Sequence, residues 1–498
     1  MIRPLPPLLR RHFLQAAAVA LGGAAAGRSL TACSSGGDAK RGGAGDGGSP
    51  LPPYVPLLAA PGEPWWLMGN FAPVDEERDA TDLEVIGELP PELDGVYVRN
   101  GPNPVLGTST QWFMGDGMLH GVRIRGGRAE WYRNRYVATP LISRTSDPAP
   151  PPNPTAHPSN TSLIAHAGSL FSLAETGLPY AISPADLSTI GVFDYEGRLT
   201  GAMTAHPKID PATGEMLFFG YSFGPPFLTF HQVSARGELV RSEVIEMTEG
   251  SMMHDFAVTT GHVIFIDVPL VFAADRLATG LPLGWSDTRP LKLGIMPRSG
   301  SSSDVFWVEV QHGMIVHTMN AHEDGAGNIV VEAMLLPELW RHATTDFNTS
   351  PQLWRFTVNL ASRKATSEQL DERVVDFPQI NRSRLGSSYR YGYGMHFTEY
   401  QGDEALGGVT GVVKYDLEKD SSSTLTLDPG EHPDEVVFVP RDGAKAEDDG
   451  YLMGFLHDAR TDTSYVAVHD AQSLETLARV RIPVRVPTGF HGLWVPES

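Results

Sequence analysis

The sequence predicts an all-β fold and, within that class, a β-propeller. The 52 glycines and 40 prolines among 498 residues indicate many turns, which is typical of a β-rich chain. Short segments that alternate apolar and polar residues recur on either side of tight turns. Residues 489–498 are unusually apolar for a chain end, which suggests that the terminus returns to the centre of a closed architecture.

The recurring unit is a short hairpin of two alternating strands. Examples lie at 180–190, 228–239, 353–360, 412–417 and 465–477. Repetition at loosely spaced intervals without strict identity favours a propeller, in which each unit forms part of one blade. A large β-sandwich is the competing interpretation. The apolar C-terminus favours the propeller because that fold closes on itself.

The first 33 residues are typical of an export signal. Arg10 and Arg11 precede an apolar run that ends at Ala26, which indicates a twin-arginine signal. Residues 30–33 (LTAC) match a lipobox in which Cys33, the only cysteine of the chain, would carry a lipid. The alternative is an ordinary leader with an incidental cysteine. We therefore expect export by the twin-arginine route and lipid anchoring at Cys33 on the outer face of a bacterial membrane.

Residues 34–53 are rich in Ser, Gly, Ala and Pro, and they predict a flexible tether. No second linker follows, so residues 54–498 are predicted to form one domain. Residues 268–285 are apolar, interrupted by prolines and too short to span a bilayer. They could form a buried cap or an exposed patch that contacts a membrane, and the sequence leaves both open. The formal charge of −21 argues against a nucleic-acid partner, and the oligomeric state is not predicted.

Four of the 17 histidines lie in apolar stretches at predicted strand ends: His206, His254, His317 and His491. Each alone is more typical of a core histidine than of a ligand, and no short metal-binding motif is present. A propeller, however, brings distant segments to one axis. Imidazole binds iron, copper, nickel and zinc alike. The residues alone therefore give a candidate metal cluster without specifying the metal.

Several motifs occur in an order that resembles the carotenoid cleavage oxygenases. They are GVYVRNGPNP at 95–104, FMGDGMLH at 113–120, TAHP at 204–207, MHDF at 253–256, HTMNA at 317–321, DFPQIN at 376–381 and GFHG at 489–492. The family includes apocarotenoid oxygenases, lignostilbene dioxygenases and the retinoid isomerase of the retinal pigment epithelium. The resemblance runs from about residue 70 to 498.

The resemblance implies a seven-bladed propeller with a helical or loop cap that carries the substrate tunnel over one face. It also implies one Fe(II) on the axis, bound by His206, His254, His317 and His491, and no side chain acting as acid or base. Carboxylates at three family positions would orient ligand histidines: Glu175, Asp376 and Glu435. Asp376 departs from the usual Glu and is one methylene shorter. We expect its contact with a histidine to be longer, water-bridged or made with a displaced backbone.

The function implied by the resemblance is a dioxygenase that uses O₂ to cleave a C=C bond of a carotenoid or apocarotenoid into two carbonyl products. The expected partners are O₂, an apolar polyene and a membrane surface. One alternative is a hydroxystilbene dioxygenase, which is expected to hold the phenol with a Tyr and a Lys. Ala138 stands where that Lys is expected and counts against this alternative. A non-catalytic, ligand-binding propeller lipoprotein is the other alternative, and the four histidines argue against it.

Overall fold

Seven β-sheets form the blades of a propeller in the computed structural model, which describes residues 63–146, 153–279, 281–344, 350–397 and 408–497. The seven-bladed architecture implied by the family resemblance is confirmed. All described residues belong to one unit, Leu51–Ser498. The predicted export signal at 1–33 and tether at 34–53 lie outside the described residues.

The first half of the chain supplies three blades. Two strands precede them, β1 (Arg78–Thr81) and β2 (Val85–Gly87). Blade 1 contains β3 (Gly95–Pro102), β4 (Gly117–Arg125) and β5 (Arg128–Tyr136). Blade 2 contains β6 (Ser162–His166), β7 (Ser169–Leu173), β8 (Tyr180–Ile182) and β9 (Thr189–Val192). Blade 3 contains β10 (Lys208–Ile209), β11 (Met216–Tyr221), β12 (Leu228–Val233) and β13 (Leu239–Ile245).

Blade 4 is interrupted by a two-stranded insert. It contains β14 (Ala257–Val258) and β15 (His262–Asp267), then the insert strands β16 (Leu270–Phe272) and β17 (Leu283–Trp285), then β18 (Lys292–Pro297) and β19 (Phe306–Glu309). Blade 5 contains β20 (Met314–Glu323), β21 (Asn328–Leu336), β22 (Gln352–Asn359) and β23 (Lys364–Gln369).

The remaining strands complete the ring. Blade 6 contains β24 (Val375–Ile380), β25 (Tyr391–Phe397), β26 (Val409–Asp416) and β27 (Ser421–Thr426). Blade 7 contains β28 (Glu431–Pro433), β29 (Val437–Pro440), β30 (Gly450–Asp458), β31 (Thr463–Asp470) and β32 (Thr476–Ile482). The last strand is β33 (Gly492–Pro496).

Both ends of the described chain close the ring. β33 pairs antiparallel with β3 in blade 1, with Val98 opposite Leu493. β1 pairs with the outer strand β5 of the same blade, whereas β2 pairs with β32 of blade 7. Because β1 and β2 lie close in sequence but in different blades, this segment links the first blade to the last. The return of the apolar C-terminus into the sheet is thereby confirmed.

Three of the predicted hairpins, at 180–190, 228–239 and 465–477, are pairs of strands, whereas the predictions at 353–360 and 412–417 were wrong because each segment coincides with one strand, β22 or β26. The apolar residues of these strands face neighbouring blades. In β12, Leu228 and Phe230 are fully buried, whereas Thr229 between them is only partly buried. Phe230 packs against Phe265 of blade 4 with ring centroids 6.1 Å apart. Period-two alternation therefore produces the interfaces between blades.

Helical structure within the described ranges is limited to short 3₁₀ helices, so the predicted cap contains no α-helix there. They are Trp65–Leu67, Gly69–Phe71, Trp112–Met114, Pro140–Ser143, Ala274–Thr279, Ser302–Asp304 and Arg382–Arg384. In the part of the chain that the structure describes, no helix has the length and apolar character needed to cross a membrane.

The apolar insert has a buried side and an exposed side. Leu270 and Leu283, on its paired strands, are buried against the core of blades 4 and 5. Phe272 and Leu277 are instead 46% and 60% exposed. The insert therefore has one buried face, as a cap would, and one exposed apolar face.

Candidate metal centre

The four candidate histidines come from four blades and meet at one point. His206 precedes β10, His254 precedes β14, His317 lies in β20 and His491 precedes β33. One ring nitrogen of each lies within 4.8 Å of the corresponding nitrogen of every other. The innermost strands of a propeller surround its axis, so segments far apart in sequence can converge there. The structure therefore brings together all four residues that the sequence singled out.

The ring nitrogens face one another closely. His254 Nε2 lies 3.0 Å from His206 Nε2 and 3.3 Å from His317 Nε2. The ring centroids of His206 and His491 are 4.7 Å apart, and those of His317 and His491 are 4.9 Å apart. The imidazoles thus surround a small common space.

The three candidate carboxylates each contact a different histidine on the side away from this space. The contacts are His254 Nδ1 with Glu175 Oε1, His317 Nδ1 with Asp376 Oδ1 at 2.7 Å, and His491 Nδ1 with Glu435 Oε1 at 2.9 Å. A carboxylate accepts the Nδ1 proton and leaves Nε2 as the free donor atom. Among the described residues, no carboxylate pairs with His206.

This proton arrangement indicates that the cluster suits a cation. In the neutral form, with Nδ1 donating to a carboxylate, the Nε2 atoms of His254 and His317 carry no proton, and they face each other at 3.3 Å. Two lone pairs repel at that separation, and a shared cation removes the repulsion. Nitrogens that lie ~2.1 Å from one ion at a right angle are about 3 Å apart. Four neutral imidazoles therefore fit one divalent transition metal.

Asp376 reaches its histidine directly because its strand is irregular. The pairing of β24 with β25 shifts register between Asp376 and Gln379, which marks a β-bulge. Phe377 within the bulge adopts a left-handed conformation with φ of +52°, and its amide donates to Asp376 Oδ1 at 2.8 Å. Of the three expectations for the shorter side chain, the displaced backbone is the one that this geometry matches.

Two further side chains bind the orienting carboxylates and were not identified from the sequence. The Tyr221 hydroxyl donates to Glu175 Oε2 at 2.7 Å, and Gln379 Nε2 donates to Glu435 Oε1 at 2.8 Å. The amide of Gly492 also donates to Glu435 Oε2 at 2.6 Å. Gln379 lies in a quoted motif and could have been found. Tyr221 could not, because its local pattern is that of an ordinary core aromatic.

Burial and neighbouring charges give the ligand histidines different proton affinities. Burial, together with the other histidines, holds the pKa of His206 well below its usual range. Burial also lowers the pKa of His317, although Asp376 partly offsets it. For His254, burial is outweighed by the Glu175 carboxylate, and the pKa is raised. His206 and His317 are thus neutral and ready to bind a metal, whereas a proton competes more strongly for His254.

Aromatic side chains lie on one side of the cluster, near His317 and His491. The ring of Phe377 lies 5.3 Å, centroid to centroid, from both His317 and His491. Phe490, the residue before His491, stacks on Phe113 at 5.2 Å. Two of the four histidines therefore have an aromatic ring beside them.

Three other histidines lie near quoted motifs but outside the four-histidine group. Nδ1 of His120 lies 2.9 Å from the Tyr132 hydroxyl. The ring of His312 packs against Trp285, and that of His322 packs against Tyr389. Each has a structural partner, as expected for histidines that are not ligands.

Comparison with known proteins places the chain in a family. The family model described as retinal pigment epithelial membrane protein matches residues 71–496, which is most of the sequence. The chain belongs to the carotenoid cleavage oxygenase family. The family resemblance noted in the sequence is thus confirmed.

Individual members of the family are similar over almost their whole length. The carotenoid cleavage oxygenase of Mycobacterium tuberculosis is 33% identical over 494 residues, covering 87% of this chain and 98% of its own. The carotenoid 9,10(9',10')-cleavage dioxygenase 1 of Arabidopsis thaliana is 34% identical over 492 residues, covering 87% and 90%. Among solved structures, the Pseudomonas brassicacearum lignostilbene dioxygenase matches with a TM-score of 0.79 and 27% identity, covering 89% and 100%.

Proposed function

We propose that this family member is a non-haem Fe(II) dioxygenase that cleaves a C=C bond of a carotenoid or apocarotenoid with O₂ to give two carbonyl products. The observation that carries the proposal is the convergence of four imidazoles, three of them oriented by carboxylates. A propeller that only binds a ligand would have no use for such a set. The relatives named for carotenoid cleavage support the substrate class.

The protein residues would hold the metal and shape the space beside it. When bound, the iron supplies the redox chemistry by which O₂ reacts with an alkene. His206, His254, His317 and His491 would bind it through Nε2, and because they are neutral they leave its full charge available. Glu175, Asp376 and Glu435 accept the Nδ1 protons, which fixes the ring orientations and increases the basicity of three ligands. No side chain is assigned a proton-transfer role.

Carotenoid cleavage is preferred to hydroxystilbene cleavage because of Ala138. This residue is exposed and carries only a methyl group, whereas the stilbene enzymes of the family are expected to place a Lys there to hold the phenol. The structural similarity to a lignostilbene dioxygenase keeps hydroxystilbene cleavage as the second candidate.

The test is the analysis of products from a panel of carotenoids, apocarotenals and hydroxystilbenes. Iron-loaded protein is expected to consume O₂ with an apocarotenal and to release two carbonyl fragments that mass analysis identifies. Metal-free protein, prepared with a chelator, should do neither. Turnover of hydroxystilbenes alone would favour the second candidate. Iron-loaded protein that turns over no substrate in the panel would argue for a binding function.

We also propose that the protein is exported by the twin-arginine route, anchored by a lipid on Cys33 and in contact with the membrane through its apolar insert. Exposed Phe272 and Leu277 support the contact because both lie on one short insert, and apolar side chains grouped on a surface are typical of sites that bind a membrane or a partner. Mass analysis of the mature protein should find a lipid on Cys33. The Cys33→Ala variant should be released from the membrane fraction.

A further inference from the structure

The carboxylate of Asp255 is buried beside the metal centre but faces away from it. Asp255 follows the ligand His254 directly, and its side chain is only 2% exposed. One oxygen lies 2.8 Å from Lys208 Nζ. The other accepts from the Thr318 amide at 2.8 Å and from the Thr318 hydroxyl at 2.7 Å. None of these contacts involves an imidazole.

Both partners of Asp255 lie within two residues of a ligand histidine in the sequence. Lys208 lies two residues after the ligand His206, and Thr318 lies directly after the ligand His317. One carboxylate therefore joins the three segments, from blades 3, 4 and 5, that carry three of the four histidines. The strand β20 shifts register on both sides of Thr318, so this part of it is displaced from regular pairing.

Further hydrogen bonds also connect the His206, His254 and His317 segments. The Thr204 hydroxyl accepts from the His206 amide at 3.2 Å and donates to the His254 carbonyl at 3.3 Å. Lys208 Nζ also lies 3.4 Å from the Thr318 hydroxyl. The three ligand segments thus share hydrogen bonds that do not involve their imidazoles.

The shared contacts hold three of the four histidine segments in one arrangement without using the imidazoles. A site that is already assembled binds its metal more tightly, because the metal does not have to order the segments.

We propose that Asp255 is a positioning residue for the metal centre, which holds the His206, His254 and His317 segments together before the metal binds. The inference rests on the part of the proposed function in which the four histidines bind a metal. It assigns to Asp255 a role distinct from those of Glu175, Asp376 and Glu435, because it orients segments of main chain and not single rings.

The experiment measures the affinity of the full metal-free chain for Co(II), which also reports ligand geometry through its visible absorption. Asp255→Asn keeps the shape of the side chain but removes its charge and one of its acceptor atoms. Its affinity for Co(II), measured by competition with a chromophoric chelator, is expected to fall about tenfold or more, and the absorption spectrum should change. Melting of the metal-free protein is measured in parallel.

A matched control is available in blades 6 and 7. Lys414 and Asp448 form another buried pair, with Nζ and Oδ2 2.7 Å apart and both side chains about a tenth exposed. Among the described residues, the partners of Asp448 are Lys414 and Gln472, and neither lies next to a ligand histidine in the sequence. Asp448→Asn should lower the melting temperature of the metal-free protein as Asp255→Asn does, while leaving Co(II) affinity and spectrum unchanged.

Three outcomes overturn the inference. In the first, Asp255→Asn keeps the wild-type Co(II) affinity and spectrum. In the second, Asp448→Asn loses as much Co(II) affinity as Asp255→Asn does. In the third, Asp255→Asn does not fold and Thr318→Val binds Co(II) as tightly as the wild type. Thr318→Val removes the hydroxyl donor but keeps the amide contact, so a severalfold loss is expected from it. A wild-type chain that does not bind Co(II) would overturn the proposed function itself, and the two failures are therefore distinguishable.

Discussion

Replacing Asp376 with asparagine tests whether the carboxylates act on the metal through the histidines. The substitution preserves the shape of the side chain and its acceptor atom, so the hydrogen bond from His317 Nδ1 can persist. The negative charge is lost, and the imidazole becomes a less basic ligand. We expect weaker metal binding in a protein that remains folded.

The size of the effect follows from the hydrogen bond. A hydrogen bond to a charged group contributes about 1.5–3 kcal/mol and a neutral one about 0.5–1.5 kcal/mol, so the substitution removes about 1–2 kcal/mol. Since about 1.4 kcal/mol corresponds to tenfold in affinity, the dissociation constant for the metal should rise about 5- to 30-fold. The contact is 2.7 Å long and largely buried, which places it in the charge-assisted class.

The assay is competition between the metal-free protein and a chelator, with Fe(II) under anaerobic conditions and with Co(II). Asp462→Asn is the control, because Asp462 also pairs with a histidine, His457, at 3.0 Å but outside the four-histidine group. The control should retain wild-type affinity. An Asp376→Asn protein whose affinity stays within twofold of wild type would refute the argument that this carboxylate tunes the metal through His317.

Three further predictions concern binding, pH and the membrane. His254→Ala should abolish metal binding, because His254 has the shortest nitrogen contacts in the cluster; full iron occupancy measured by atomic absorption would contradict this. The free energy of unfolding should decrease as the pH falls from about 6.5 to 4. Burial lowers the pKa of three histidines to about 4 in the folded protein and so keeps them neutral over this range. In the unfolded chain the same histidines bind protons from about pH 6.5 downwards. They are His157, His231 and His469. Between these pH values each histidine changes the free energy of unfolding by about 1.4 kcal/mol per pH unit. In His231→Gln, the free energy of unfolding measured with urea should therefore depend less steeply on pH. An unchanged slope would refute the assignment. Phe272→Asp combined with Leu277→Asp should weaken binding to lipid vesicles without changing metal affinity, and unaltered vesicle binding would exclude the insert as the contact.

The closure of the propeller could be predicted at one chain end and not at the other. The apolar residues around His491 indicated a strand that returns to the centre, and β33 is that strand. The short strands β1 and β2 gave no such signal, because most of their residues are exposed and their alternation is weak. Each pairs with the outer edge of a different blade, and a local sequence pattern does not predict which blade a strand joins.

The residues of the metal centre could be identified from the sequence, but their connections could not. Residue patterns alone gave four candidate histidines, and the family resemblance added the carboxylates. The contacts of Tyr221 with Glu175 and of Asp255 with Thr318 join residues 46 and 63 positions apart, in different blades. Period-two alternation predicts which face of a strand a side chain occupies, but it does not predict which neighbour that face meets.

The bulge at Asp376 makes a final prediction about the shorter carboxylate. Asp376 accepts from both His317 Nδ1 and the Phe377 amide, and the second contact supports Phe377 in its left-handed conformation. In Asp376→Glu the longer side chain can still reach His317, but it would give up the Phe377 contact, at a cost of about 0.5–1.5 kcal/mol. We therefore expect a folded variant with a melting temperature lower by about 1 °C and metal affinity near that of wild type. Calorimetry and chelator competition measure the two quantities separately. A loss of affinity as large as that of Asp376→Asn would show that the bulge, and not the carboxylate alone, sets the orientation of His317.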